Sequence, residues 1–267
     1  MNSNVEKKVN DLQLNGFKIS FNNVFSNASE IFKGIAGYAI LAFVVYAICT
    51  SIINFIIEAI MPLAYDSTEL GNVIAEGDYE TALEMYSEGS SMLMTLLTNV
   101  TTALLSPILY SVYTMAHKFK KGETVEVSDI FVHYKNGKFL NLFLISLIVS
   151  FVSTIGFVLC LIPGFIIYTM WLLAAPFVIF ADANVGEALS TSMKLAFKDF
   201  GTFSVTTLAI FGIIIVGFLL CCIGLIAAVP FVYVLIYALY NEVIGDDHKT
   251  EIDEIGMDIY KDNPYMK

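Results

Sequence analysis

Arginine is absent from the chain, tryptophan occurs once, and charged residues of either sign make up only 15% of the 267 positions. An ordinary soluble domain carries about 25%. So little charge excludes a water-soluble globule with a normal polar shell. With no arginine, no basic stripe and a formal net charge of −11, nothing supports a nucleic-acid role. Histidines number three (His117, His133, His248) and cysteines four (Cys49, Cys160, Cys221, Cys222), and neither set has the spacing of a metal site. The cysteines read as small polarizable residues in apolar surroundings. A disulfide between Cys160 and Cys221 is not indicated. The nucleophile elbow, H-E-x-x-H, phosphate-loop and dinucleotide patterns are all missing, so no catalytic constellation and no cofactor is implied. The first thirty residues lack an apolar core between a basic start and a small-residue cleavage site, so a cleaved leader is not expected.

What the chain does have is long uncharged runs: Gly34 to Ile57, Gly89 to His117, Phe139 to Ala181 and Phe203 to Asn241. The third would be about 64 Å long as one helix at 1.5 Å per residue, whereas a bilayer core is about 30 Å thick. It must fold back on itself, and Pro163-Gly164 is the expected turn. The fourth run is read the same way, turning near Gly224. The expected fold is therefore all-α: a polytopic membrane bundle of six transmembrane helices, arranged as three hairpin units. Residues 1–20 are read as a polar and poorly ordered tail, 21–244 as the membrane domain with units 21–116, 126–182 and 184–244, and 245–267 as an acidic tail.

Every lysine falls before the first span, between spans two and three or four and five, or after the last, and the opposite side has none. By the positive-inside rule both termini are expected in the cytoplasm, in the cell membrane. Each unit is expected to open with an amphipathic helix on the cytoplasmic surface. The first would carry Phe21, Val24, Phe25, Ala28, Ile31 and Phe32 on one face before the chain turns into span one. Ser128 is the expected cap of the second, and Val185, Ala188, Leu189, Ser192, Ala196 and Phe200 roughly share a face in the third. Ile252, Ile255 and Ile259 suggest a weak helix in the tail.

The remaining polar residues are sparse. Glu58 is expected at the outer interface. The acids of the outer segment, Glu80, Glu84 and Glu88 among them, read as a solvated cap, with a weak cation site as the sharper reading. Ser146, Ser150 and Ser153 share one side of span three, and Thr98, Asn99, Thr101 and Thr102 lie in span two. Asp182 and Glu242 occupy similar places at the inner ends of spans four and six. Units two and three also align: IGFVLCLI at Ile155–Ile162 matches VGFLLCCI at Val216–Ile223 at five of eight positions, Gly156 with Gly217 among them. Repeats of this kind are common in transporters.

Across IGFVLCLIPGFIIYTMWLLAAPFVIFADANVGEALSTSMKLAFKDF, the glycine, the isoleucine-proline-glycine turn, the apolar span, the acid and the Ala-Leu-x-x-Ser segment resemble a family pattern. Gly156, Ile162, Pro163, Gly164, Asp182, Ala188, Leu189 and Ser192 carry it. The chain from Phe21 to Glu242 resembles uncharacterised polytopic bacterial membrane proteins related to the membrane domain of glycerophosphoryl diester phosphodiesterases. The resemblance implies architecture, not catalytic residues, since the phosphodiesterase activity belongs to a separate soluble barrel. Some relatives carry a carotenoid-oxygenase name, whose iron-binding histidine cluster is not present here. Gly156, Pro163, Gly164, Asp182, Ser192 and Glu242 are the candidate ligand or structural positions. The expected function is a non-catalytic membrane protein that scaffolds, binds lipid or serves envelope homeostasis. The alternative is a transporter or channel for a lipid-like or small neutral solute. Membrane lipid is the expected partner, with a second copy or another membrane protein as a further one.

Overall fold

The computed structural model describes residues 1–60, 67–89, 92–220 and 223–245. Cys221, Cys222, His248 and the tail helix expected beyond 245 lie outside them. Among the described residues the chain is helical without strands, and six helices are long and apolar enough to cross a membrane. The protein is a multi-pass helical membrane protein.

The chain opens with α1 (Ser3–Asn15), capped by the Asn2 side chain on the Asn4 amide. It is docked, contrary to the poorly ordered tail expected from its polarity. The Asn2 amide donates to the Ala181 carbonyl, and Val9 is buried. α2 (Phe21–Ile60) corrects the reading of unit one. The amphipathic stretch from Phe21 does not lie flat before a turn but continues as one helix of 40 residues, about 60 Å long. No glycine cap or proline interrupts it at the membrane edge. Its buried stripe, Val24, Ala28, Ile31, Ile35, Ala39 and Ala42, steps by three and four along one face. The stripe ends at Ala42, and the far end, with Phe55 and Ile60 more than 70% exposed, has the apolar surface that lipid would cover.

α3 (Ser67–Ala75) and α4 (Tyr79–Gly89) form the segment between spans one and two. On α4 Ala82 is buried, whereas Tyr79 and Leu83 are exposed. α5 (Met92–Lys120) returns. Pro107 removes the amide that would bond the Ala103 carbonyl, and the Ser106 hydroxyl donates to that carbonyl instead at 2.8 Å. A 3-10 turn (Val127–Phe131) and α6 (Val132–Lys135) follow. The turn is capped by Glu126 and Asp129, not by Ser128, whose hydroxyl donates to Glu126. Lys118 on α5 pairs with the buried Asp129 at 2.7 Å and ties this turn to the span.

α7 (Phe139–Leu159) and α8 (Leu161–Met170) make the expected hairpin, but its turn is the single extended residue Cys160, not Pro163-Gly164. Pro163 lies in the first turn of α8, where its missing amide would have had no helical partner. The glycines serve close approach. A Cβ on Gly156 would sit 2.9 Å from the Gly164 Cα, and one on Gly164 would sit 2.7 Å from the Phe157 nitrogen. α9 (Ala174–Ala181) completes span four, and Asp182 ends it in the left-handed conformation at φ 49°. α10 (Val185–Lys198) starts from a reciprocal Asn184–Glu187 capping box and packs against α9. α11 (Phe200–Leu219) and α12 (Leu225–Ile244) form the last hairpin. There Gly217 and Gly224 meet as Gly156 and Gly164 do, a Cβ on Gly224 falling 2.7 Å from the Gly217 carbonyl oxygen. α12 is the central helix, buried without interruption from Val234 to Tyr240 and packed against α2, α5 and α11.

Candidate functional site

Span four is not one helix. Pro176 has no amide, and its ring crowds the carbonyl four residues back. The helix opens just before it, at Trp171–Leu173. There the Ala174 amide bonds three residues back, to Trp171, leaving the Met170 carbonyl without its helical donor. The buried Ser192 hydroxyl, brought from α10, fills the opening. It donates to the Met170 carbonyl at 2.8 Å and accepts from the Leu173 amide at 3.1 Å. Freed backbone groups inside a membrane must find such partners. Ser192 is thus a backbone plug between two elements, a role its place on a helix face did not reveal.

The opened segment borders a half-open cavity of about 440 Å³ lined by α5, α7, α8, α9, α11 and α12. None of its lining side chains is charged. Ser146, Ser150, Ser153 and Thr154 present hydroxyls from α7, and Thr154, exposed, marks the rim. Tyr110 and Tyr113 of α5 and Tyr233 of α12 form an aromatic wall, their ring centroids 5.4–6.0 Å apart. Tyr168 and Trp171 line the cavity from the span-four side. The span-three serines expected from sequence are therefore at the cavity. Span two contributes tyrosines rather than Thr98, Asn99, Thr101 and Thr102. An aromatic at helical spacing reads equally well as core, so the sequence alone does not mark these tyrosines.

The hydroxyls differ in what they leave free. Ser150 donates to the Leu147 carbonyl and Thr154 to the Ser150 carbonyl, so each offers the cavity only lone pairs. Ser106 and Ser146 neighbour the Tyr110 hydroxyl. Ser153 is 6% exposed and its Oγ has no partner. Nearby, Thr169 on α8 donates to Thr207 on α11 at 3.0 Å, both fully buried, which pins the two hairpins together.

The other expected positions serve the lysine-bearing end. Asp182 pairs with Lys138 at 2.6 Å, and the same ammonium donates to the Ile179 carbonyl, joining the end of span four to the start of span three. Glu242 is half-buried on the last turn of α12, and among the described residues no hydrogen bond or ion pair joins it to Asp182. Gly156, Pro163 and Gly164 belong to the hairpin tip. His133 is fully buried beneath α5. The Lys138 amide donates to the Asn136 side-chain Oδ1, so the Asn136 NH2 group faces His133 Nδ1, and Nε2, 3.3 Å from Thr114 Oγ1, carries the hydrogen. Burial first, and the Lys138 charge second, lower its pKa to about 4. Among the described residues no group of three His, Cys, Asp or Glu could hold a metal ion.

The fold and this cavity define a polytopic helical membrane protein with an uncharged cavity among its spans. No family model matches the chain, and no curated protein or solved structure matches it.

Proposed function

We propose that this chain is a non-catalytic membrane protein that binds an uncharged lipid inside the bilayer. The observation that carries the reading is the cavity: about 440 Å³, without a charged lining side chain, bounded by apolar walls and a few hydroxyls. Ligand sites share this composition and fall in the same size range, about 300–1,000 Å³. A charged ligand would lose its hydration there with no counter-charge to offset it. We place the protein in the cell membrane with its lysine-bearing end in the cytoplasm. Single cysteines replacing Lys120 and Glu84 should then react with an impermeant reagent from opposite sides.

Native mass spectrometry after gentle release from detergent tests the binding reading. A retained uncharged species at one copy per chain is expected. Only bulk phospholipid, in membrane proportion, would refute it. The interrupted span four beside the cavity favours a second reading, transport of a neutral solute, because broken helices border substrate sites in transporters. Saturable flux of such a solute into proteoliposomes would select it.

A further inference from the structure

We infer that the cavity is a site for a flat, carbonyl-bearing ring, the head of a quinone-class lipid. This rests on the lipid-binding reading and narrows it to a chemical class. Three observations converge. The first is the wall. Tyr110, Tyr113, Phe157, Tyr168, Trp171 and Tyr233 all face the cavity, and Tyr110 and Tyr113 lie within 13° of parallel. Aromatic faces favour stacked or edge-on contact with another ring, whereas a saturated chain is served as well by leucine and valine.

The second is the unpartnered hydroxyl. Ser153 is 6% exposed, lines the cavity, and its Oγ bonds nothing. A buried hydroxyl without a partner is costly in a membrane interior. Ser150 and Thr154 have already committed their hydrogens to their own helix, and Ser146 bonds the Tyr110 hydroxyl, so Ser153 is the donor left for a ligand on the α7 face. A donor there selects an acceptor, and a ring carbonyl is an acceptor only. Ser153 stands six residues before the end of α7 at Leu159, or about 9 Å along the helix axis. That depth suits a ring within the hydrocarbon more than an ester at the headgroup boundary.

The third is size. A cavity of about 150 Å³ takes one benzene. The present 440 Å³ suits a fused two-ring head with the start of its tail, and is too small for a phospholipid with both chains. The tail would leave past the exposed Thr154 at the rim.

Trp171 is the only tryptophan in the chain and lines the cavity, so its fluorescence reports occupancy directly. The protein in lipid nanodiscs would be titrated with a methylated naphthoquinone and, separately, with a brominated long-chain alcohol. Saturable quenching by the naphthoquinone is expected. In Ser153→Ala the midpoint should move roughly five-fold upward, the loss of one hydrogen bond, with the same maximal quench. Ser153→Thr should retain most of the affinity, which separates the hydroxyl from a general disturbance. Naphthoquinone quenching that rises linearly with partitioning and is the same in Ser153→Ala overturns the inference. Saturable quenching by the brominated alcohol alone sinks the ring class but leaves the lipid-binding reading standing. Saturation by neither probe removes both.

Discussion

Replacing Ser192 with alanine tests whether its hydroxyl holds span four together. The substitution keeps the helix propensity of α10 and removes one oxygen. That oxygen is the partner of two backbone groups at once, the Met170 carbonyl and the Leu173 amide. Leu173 and Ser192 are both 0% exposed, so water cannot replace it without opening the packing. Leaving a buried polar group unsatisfied costs about 1–3 kcal/mol, and side-chain hydrogen bonds in membranes lie toward the low end. The pair together should cost about 2–3 kcal/mol. At roughly 2–4 °C per kcal/mol for a chain near this size, Tm should fall by about 5–10 °C. Trp171 lies in the opened segment, so its emission followed during heating in mild detergent reports the region directly. Ser190→Ala is the matched control. Its hydroxyl donates only to the Glu187 carbonyl of its own helix at a half-buried position, and its effect should stay within about 0.5 kcal/mol. If both variants melt with the wild type, Ser192 does not support the break.

Two further outcomes follow from local chemistry. The unfolded His133 takes a proton near pH 6.5, whereas the folded one resists until about pH 4. The unfolded state therefore binds more protons between those values, and this stability is full above pH 6.5 and lost as pH falls toward 4. The loss amounts to about 3 kcal/mol; His133→Gln should flatten that part of the stability–pH curve, and an unchanged slope would assign it elsewhere. At the hairpin tips, Gly164→Ala drives a Cβ to 2.7 Å from the Phe157 backbone nitrogen, and Gly224→Ala to 2.7 Å from the Gly217 carbonyl oxygen. Backbone cannot rotate away, so each should lower stability by about 1–3 kcal/mol, while Gly37→Ala, with open space around its Cβ, should not.

The spans were legible because charge and length are one-dimensional quantities. A run from Phe139 to Ala181 has to double back whatever packs around it. The turn lies three residues before Pro163 for a local reason: proline is as compatible with a first helical turn as with a loop, and Pro163 takes the former. The continuity of α2 was hidden because a buried stripe looks the same on a surface helix as on the first turns of a span. The serines of span three could be read as one face, yet their different hydrogen-bond states could not. The order of α1 depends on Ala181, and the role of Ser192 on Met170 and Leu173; such distant partners leave no trace in local periodicity.

Trp171 and Leu172 are at once the opened segment that Ser192 supports and part of the cavity wall. A ligand resting on that wall and a hydroxyl holding its backbone act on the same residues from two sides. If so, their energies are linked, and the linkage must be reciprocal. Ser192→Ala should weaken ligand binding without touching the ligand, and ligand should stabilise the variant less than the wild type. A ligand at 100 times its Kd adds about 2.7 kcal/mol; a five-fold weaker Kd in the variant would trim that by about 1 kcal/mol. Melting wild type and Ser192→Ala with and without a saturable probe measures the difference. Parallel shifts, with the same gain in both, would mean that the wall is rigid without its plug. The cavity and the break would then be neighbours with no energetic connection.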